Sequence, residues 1–322
     1  MANHSEFDNF TQDSNGINYN LMFTYSYIAA IPIFIVGFIA NCILLYLINT
    51  DKYFRKMTYH LIRIAIISDL ISLTTSIIVF AIYASANIGY SLGSILCKLI
   101  LFVTYSCYGV SLTSLCVVSI DRYYAVIKPL TSVYHYQLKR QIIYIGQTIG
   151  CLIALGVSVP ITAYSNIHIN ETQFCDIPNM DRNITTYLLC LVFILYILPL
   201  SIITINYIKI IRFQYTYVRP GESSYRRCDN VQLKKKKFIR MLITITSIYL
   251  CVTWPFFAVL AGMGISLRSL KQIREMGLGY YLIAYTAFVT TFAINILQPF
   301  IYFRFDYNIK RVMKDRFGHF SC

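Results

Sequence analysis

The chain has 322 residues, 57% of them hydrophobic and only 13% charged, with a mean hydropathy of +0.58. A soluble protein of this length needs far more charge to cover its surface, which excludes a soluble all-helical domain with a greasy core. The formal net charge of +14 falls in the gaps between apolar runs and not among aromatics on a solvated surface, so it excludes nucleic acid as a partner and reads as a topology signal.

In chain order, residues 1–24 form a polar segment with Glu6, Asp8 and Asp13 and no Lys or Arg. It has no basic stretch followed by a short apolar run. No cleavable signal peptide is therefore predicted, and the first span acts as the insertion signal. Seven apolar runs follow, at about 25–50, 59–86, 96–127, 140–164, 186–212, 237–265 and 278–303, each long enough to cross a lipid bilayer. Most are apolar on all sides. They contain Pro32, Gly37, Pro160, Pro199, Pro255 and Pro299, which membrane helices tolerate. The expected architecture is an all-α membrane protein. An extracellular segment 1–24 leads into a seven-transmembrane helix bundle over 25–304, and a short amphipathic eighth helix with a brief tail follows over 305–322.

Charge sets the orientation. The gaps 51–58, 121–140, 208–240 and 304–322 hold 22 of the 28 Lys and Arg, a bias that places them in the cytosol and the amino terminus outside. Glycosylation triplets at Asn3, Asn9, Asn170 and Asn183 all fall in segments that this orientation puts outside. Cys42, Cys107, Cys116, Cys151, Cys190 and Cys251 lie within spans as small packing residues, and no C-x-x-C pair suggests zinc. Cys97 and Cys175 lie at the outer surface, where disulfides persist, and their pairing is expected.

The third run organises the rest. After Lys98 no charge occurs until Asp121, and Asp121-Arg122-Tyr123 then marks the far edge. Cys97 and Arg122 stand ~37 Å apart on an α-helix, enough to cross a bilayer with its interfaces. Asp69 lies in the middle of the second run, where a buried carboxylate costs on the order of several kcal/mol unless paired, protonated or bound to a cation. Two readings stand. One is a neutral Asp69 making interhelical hydrogen bonds. The other is a cation or proton site shared with Asn41, Ser111, Asn295 and Gln298, each polar in the middle of its own span.

These stretches together resemble the rhodopsin-like (class A) G-protein-coupled receptors over about 25–318. The resemblance rests on Gly37-Phe-Ile-Ala-Asn41, Ser68-Asp69-Leu70, Tyr90-Ser-Leu-Gly93 before Cys97, and Asp121-Arg122-Tyr123. Pro199 with Tyr207, Trp254-Pro255-Phe256, Gln298-Pro-Phe-Ile-Tyr302 and Ile309-Lys-Arg311 complete it. It implies a multi-pass plasma-membrane receptor that binds an extracellular ligand and activates a heterotrimeric G protein, with no cofactor and no enzymatic activity. It also implies that Cys97–Cys175 is the family's disulfide and that Asp69 with Ser111 belongs to a sodium pocket. Asp121, Arg122, Tyr123, Tyr207, Pro255, Pro299 and Tyr302 would form the activation switch.

The departures are specific. Gln298 stands where the family usually has Asn, and Ile294 where another Asn is usual. Thr253 holds the customary Trp position of the sixth span, Gly150 that of the fourth, and Tyr90 replaces a common Trp. Lys235 lies where the family often places an acid, so no salt bridge from span six can lock Arg122, and a leaky resting state is expected.

For the ligand end, Thr104, Tyr108 and Ser111 share one face of span three, and Tyr285, Phe288 and Phe292 share one face of span seven. Trp254 and Phe257 lie near the kink expected at Pro255. The resemblance turns these faces towards an outward cavity. Thr104 replaces the Asp of amine receptors and Phe292 the retinal-bearing Lys of opsins, which excludes both. A peptide ligand is expected, with a lipid or other small molecule as the alternative. Arg268, Lys271 and Arg274 read as a solvated outer loop. An ion or proton-coupled transporter using Asp69 and Asp121 is disfavoured by an odd number of spans without repeats.

At the other end, residues 234–237 and Arg240 form a basic run suited to anionic lipid or a G protein, while Arg63 is left inside the second span. Phe305, Ile309, Met313 and Phe317 recur every four residues, an apolar stripe for a helix lying on the membrane. Cys322 is a candidate for palmitoylation. His60, His135, His168 and His319 are dispersed, so neither a metal cluster nor a catalytic arrangement is expected.

Overall fold

The computed structural model describes residues 19–85, 88–127, 136–169, 171–216 and 225–318. Asn3, Asn9, Asn170, Cys322 and the side chains of residues 234–237 and Phe317 lie outside the described residues. Among the described residues, seven helices are long and apolar enough to cross a membrane: Tyr19–Thr50, Met57–Ala84, Tyr90–Ile127, Arg140–Tyr164, Arg182–Phe213, Leu242–Ser266 and Leu278–Phe305. They are spans one to seven below. Span three packs on spans two, four and five, and spans five, six, seven and one close the ring around it. Side chains turned away from the bundle are largely apolar, as lipid contact requires.

The boundaries moved where side chains find protein instead of lipid. Span one begins at Tyr19 and not near 25, because Tyr19 and Phe23 are buried against Phe174 and Tyr281. Span three begins at Tyr90 and not at 96, with Gly93 under the carbonyl oxygen of Thr172 and Leu96 buried. The helix carrying span six reaches back to Tyr225. Span five contains a π-helical segment, Phe193–Ile197, that sequence periodicity did not reveal. It ends two residues before Pro199, whose missing N–H and ring disturb the preceding turn.

Spans three and four approach closely through two glycines. A Cβ on Gly109 would lie 2.6 Å from Ala154 Cβ, and one on Gly150 would overlap the methyl group of Thr113. Gln147 Nε2 donates to Ser114 Oγ (2.9 Å) beside this contact. Thr113 therefore leaves no room for a side chain at residue 150 as the helices stand. Gly150→Trp is expected to destabilise the bundle by at least the roughly 1–3 kcal/mol of ordinary overpacking. A thermal midpoint in detergent at or above that of the parent protein would contradict this packing.

At the Cys97 end, two short antiparallel strands cross the bundle, β1 (Asn166–His168) and β2 (Glu171–Asp176). The Cys97–Cys175 disulfide, with Cα atoms 5.3 Å apart, ties β2 to span three. Gln173 Nε2 donates to the Tyr83 carbonyl (3.0 Å), and Tyr27 Oη donates to the Gln173 carbonyl (2.8 Å). Between spans six and seven lies a short helix, Leu270–Met276, started by a Ser269/Gln272 capping box. Gly277, at φ +155°, breaks it from span seven in a conformation that side chains rarely adopt.

At the Arg122 end, Asp306 caps a terminal helix, Tyr307–Phe317, by accepting from the N–H groups of Asn308 and Ile309. Tyr59 Oη of span two donates to the same carboxylate (2.9 Å). The expected four-residue stripe is corrected here. Phe305 ends span seven and is 49% exposed, while Ile309 and Val312 are buried with Met313 beside them. The turn at Asp306 resets the helical phase, so Phe305 and Ile309 no longer share a face.

Candidate functional site

An apolar cavity of about 460 Å³ lies between spans one, two and seven at the Cys97 end. Phe34, Phe80 and Phe292 form one wall, with ring centroids 5.3–5.9 Å apart. Tyr27, Tyr83, Tyr285 and Phe288 continue it, and Phe174 and Leu270 lie at its outer end. Tyr285, Phe288 and Phe292, expected to face an outward cavity, line this one. Phe23, Tyr27, Phe34, Phe80, Tyr83 and Phe174 were missed, although Phe23, Tyr27 and Phe34 fall on one helical face and could have signalled it.

The remaining expected ligand residues lie elsewhere. Thr104 is buried in span three, and Tyr108 and Phe257 are buried in the packing among spans three, five and six. Tyr108 Oη shares a hydrogen bond with Thr253 Oγ1 (3.2 Å), and its ring lies 4.9 Å from Phe257, which stacks on Tyr196. Trp254 is 56% exposed on the outer flank of span six and does not line the cavity. Thr253 and Phe257, four residues apart, take the inward face, which turns the intervening Trp254 outward.

Above the cavity the loops are clasped together. Arg274, expected in a solvated loop, is only 8% exposed. Its Nη2 donates to Glu171 Oε1 of β2 (2.6 Å), and its guanidinium lies 4.5 Å from the Tyr19 ring centre and 5.1 Å from that of Phe174. Asp176, at the end of β2, accepts from the N–H groups of Leu270 (2.9 Å) and Lys271 (3.1 Å) at the start of the loop helix. It also accepts from the Ile177 N–H (2.7 Å) and pairs with His168 Nε2 (3.2 Å). Arg268 contacts Met276 Sδ at the far side of that helix.

Burial alone would raise the pKa of Asp176, but His168 and the three backbone donors outweigh it and hold the carboxyl below its ordinary value of 3.8. Because the folded pKa is depressed, this group's contribution to stability is fully present above the unfolded value and is lost as pH falls through the folded one. Thermal unfolding between about pH 3 and pH 7 should therefore show an acid limb below the ordinary carboxylate range. Asp176→Asn is expected to lower the neutral-pH midpoint and flatten that limb. An unchanged acid limb in the variant would refute the assignment.

In the middle of the bundle, four of the five expected polar residues are joined. Ser111 Oγ donates to Asp69 Oδ1 (3.0 Å) and lies 2.7 Å from Ser68 Oγ. Asn295 Nδ2 donates to Ser72 Oγ (3.0 Å), and Asn41 Nδ2 to the Asn295 carbonyl (2.9 Å). Spans one, two, three and seven are thereby linked. Gln298 is buried with neither side-chain polar atom hydrogen-bonded, and Asp69 Oδ2 and Asn41 Oδ1 are likewise unpartnered. The Ser111 bond is an interhelical hydrogen bond of the kind the first reading of Asp69 expects. The open carboxylate and amide oxygens are hard donors of the kind that sodium takes.

At the other end, Arg122 Nη2 donates to Asp121 Oδ2 (2.5 Å) and to Thr58 Oγ1, which itself donates to the same carboxylate (3.2 Å). Arg122 is therefore held by its neighbour and by span two. Tyr207 of span five is buried against Thr246, near Arg122. Tyr302 is fully buried with its hydroxyl unpartnered, and Tyr123 lies under Lys209. Pro255 and Pro299 lie inside unbroken helices.

Residues 40–302 match the family model of the 7 transmembrane receptor (rhodopsin family). The chain belongs to that family. This makes it a multi-pass membrane receptor and not an enzyme. Among rhodopsin-family proteins, the chain is 25% identical over 298 residues to neuropeptide Y receptor type 2 of Cavia porcellus, covering 90% of this chain and 75% of that one. It is 24% identical over 289 residues to the tachykinin-like peptides receptor 99D of Drosophila melanogaster, covering 85% of this chain and 54% of that one. Bombesin receptor subtype-3 of Ovis aries is 27% identical over 246 residues, 70% of this chain and 58% of its own.

Proposed function

We propose that the chain is a plasma-membrane receptor whose amino terminus and Cys97 end face outside, that it binds a peptide, and that its Arg122 end activates a heterotrimeric G protein. The asymmetry of Lys and Arg supports the orientation. The names of the relatives supply the peptide class. The observation that carries the reading is the clasped cap, in which span one, the β-hairpin and the loop helix meet at Arg274 above an aromatic cavity. A ligand bound there touches spans one, two and seven and so can favour one arrangement of the helices by differential affinity.

The polar centre and the switch complete the proposal. Asp69, with Asn41, Ser111, Asn295 and Gln298, holds a sodium ion or a proton among spans one, two, three and seven, which offsets the buried carboxylate's charge. Asp121, Arg122, Tyr123, Tyr207, Pro255, Pro299 and Tyr302 open the cytosolic face. Asn183, exposed at the start of span five, is a glycosylation site together with Asn3, Asn9 and Asn170. A second reading, a lipid-like ligand, is favoured by one feature. The cavity wall reaches the lipid-facing flank through Ala29, Ile33 and Val289.

Guanine-nucleotide exchange in membranes carrying the receptor, tested against a panel of peptides and a panel of lipids, separates these readings. Peptide-dependent exchange is expected. Exchange driven only by lipids would replace the ligand class, and ion flux without exchange would overturn the receptor mechanism. An epitope tag at the amino terminus should be reached by antibody on intact cells.

A further inference from the structure

Arg63 lies in span two, five residues beyond Thr58 and so ~7.5 Å deeper into the membrane than the Arg122 clamp. Its Nε is buried without a hydrogen-bond acceptor. One turn earlier on the same helix, the His60 ring lies 5.3 Å from that of Tyr144 in span four, and the Arg140 guanidinium lies 5.6 Å from the Tyr144 ring centre. Arg63 and Arg140 are the charged groups that bear on His60. No acidic side chain among the described residues pairs with either arginine. The sequence supplies none nearby on these elements, because no Asp or Glu occurs in residues 52–68 or 122–170.

His60 and Arg140 thus meet at the Tyr144 ring with the Arg63 charge close to His60, and no acidic counter-ion pairs with either guanidinium among the described residues. Unpaired cations at that depth are costly, and a bilayer offers one abundant anion at the same level, the lipid phosphate. Guanidinium groups bind phosphate through paired, charge-assisted hydrogen bonds. We propose that His60, Arg63, Arg140 and Tyr144 form a cleft between spans two and four that binds the headgroup of an anionic phospholipid in the cytosolic leaflet. Only the choice of leaflet rests on the orientation proposed above. A zwitterionic headgroup fits less well, because it brings no net negative charge to offset the two guanidinium groups.

The test uses the full-length receptor, stripped of lipid in detergent and titrated with phosphatidylserine, phosphatidylcholine or inorganic phosphate, with bound molecules counted by native mass spectrometry. The parent protein should retain one more phosphatidylserine than the Arg63→Gln/Arg140→Gln variant. Affinity should fall roughly fivefold for each guanidinium removed. Arg63→Lys, which keeps the charge but not the paired donors, should retain more phosphatidylserine than Arg63→Gln and less than the parent, an order that a merely structural role does not produce. Equal retention by parent and variant overturns the proposal, as does phosphatidylcholine or inorganic phosphate binding as tightly as phosphatidylserine. If Arg63→Gln does not fold, Arg140→Gln alone, at an exposed position, carries the same comparison. Lipid counting does not depend on nucleotide exchange, so failure here and failure of the receptor reading are told apart.

Discussion

Arg274→Ala should lower the thermal midpoint of the purified receptor by several degrees, corresponding to about 3 kcal/mol, and weaken ligand binding in parallel. Removing the guanidinium leaves the Glu171 carboxylate, only 13% exposed, without its ion partner. It also removes the cation that spans the Tyr19 and Phe174 rings. Glu171→Ala/Arg274→Ala should be less destabilised than the sum of the two single variants, because the double change strands neither charge. Strictly additive losses would show that the two residues act independently. A midpoint unchanged in Arg274→Ala would show that the clasp is not part of the fold's stability.

Arg122→Ala should abolish guanine-nucleotide exchange at matched surface expression, while Thr58→Val should raise exchange in the absence of ligand. In the structure Thr58 and Asp121 hold the guanidinium towards span two. Lys235 in the sequence offers no competing acid from span six. Thr58→Val removes the hydroxyl from both partners yet keeps the volume of the side chain, so a rise in basal signalling would report release of Arg122 and not a packing defect. Undiminished exchange in Arg122→Ala would remove this residue from the switch. Silent Thr58→Val receptors would move the restraint to another contact.

The helices were legible because each must bury its backbone in hydrocarbon, and that demand writes itself into composition over some twenty residues. The Cys97–Cys175 bond was legible because these were the two cysteines in segments that the Lys and Arg bias assigns to the outer side. Asp69 was legible as part of a mid-span polar group with Asn41, Ser111, Asn295 and Gln298, because polar atoms there need partners, and only the family resemblance singled out Ser111. Trp254 was misplaced because the sequence gives the phase of a helix only relative to its own residues. Which face turns inward was decided by Thr253 meeting Tyr108. Arg274 was misread because its partner, Glu171, is 103 residues away and its aromatic neighbours come from span one and β2. The phase reset at Asp306 depended on Tyr59 reaching across from span two.

By itself the sequence determined that the chain crosses a bilayer seven times, which side chains are polar where lipid forbids it, and where positive charge collects. These follow from local composition acting against a uniform solvent. Only the tertiary structure decided that the cavity lies among spans one, two and seven, that Arg274 is buried, and that Arg122 is held from span two. Those outcomes depend on which helices become neighbours and how each is rotated, and that is settled by close packing among residues far apart in the chain.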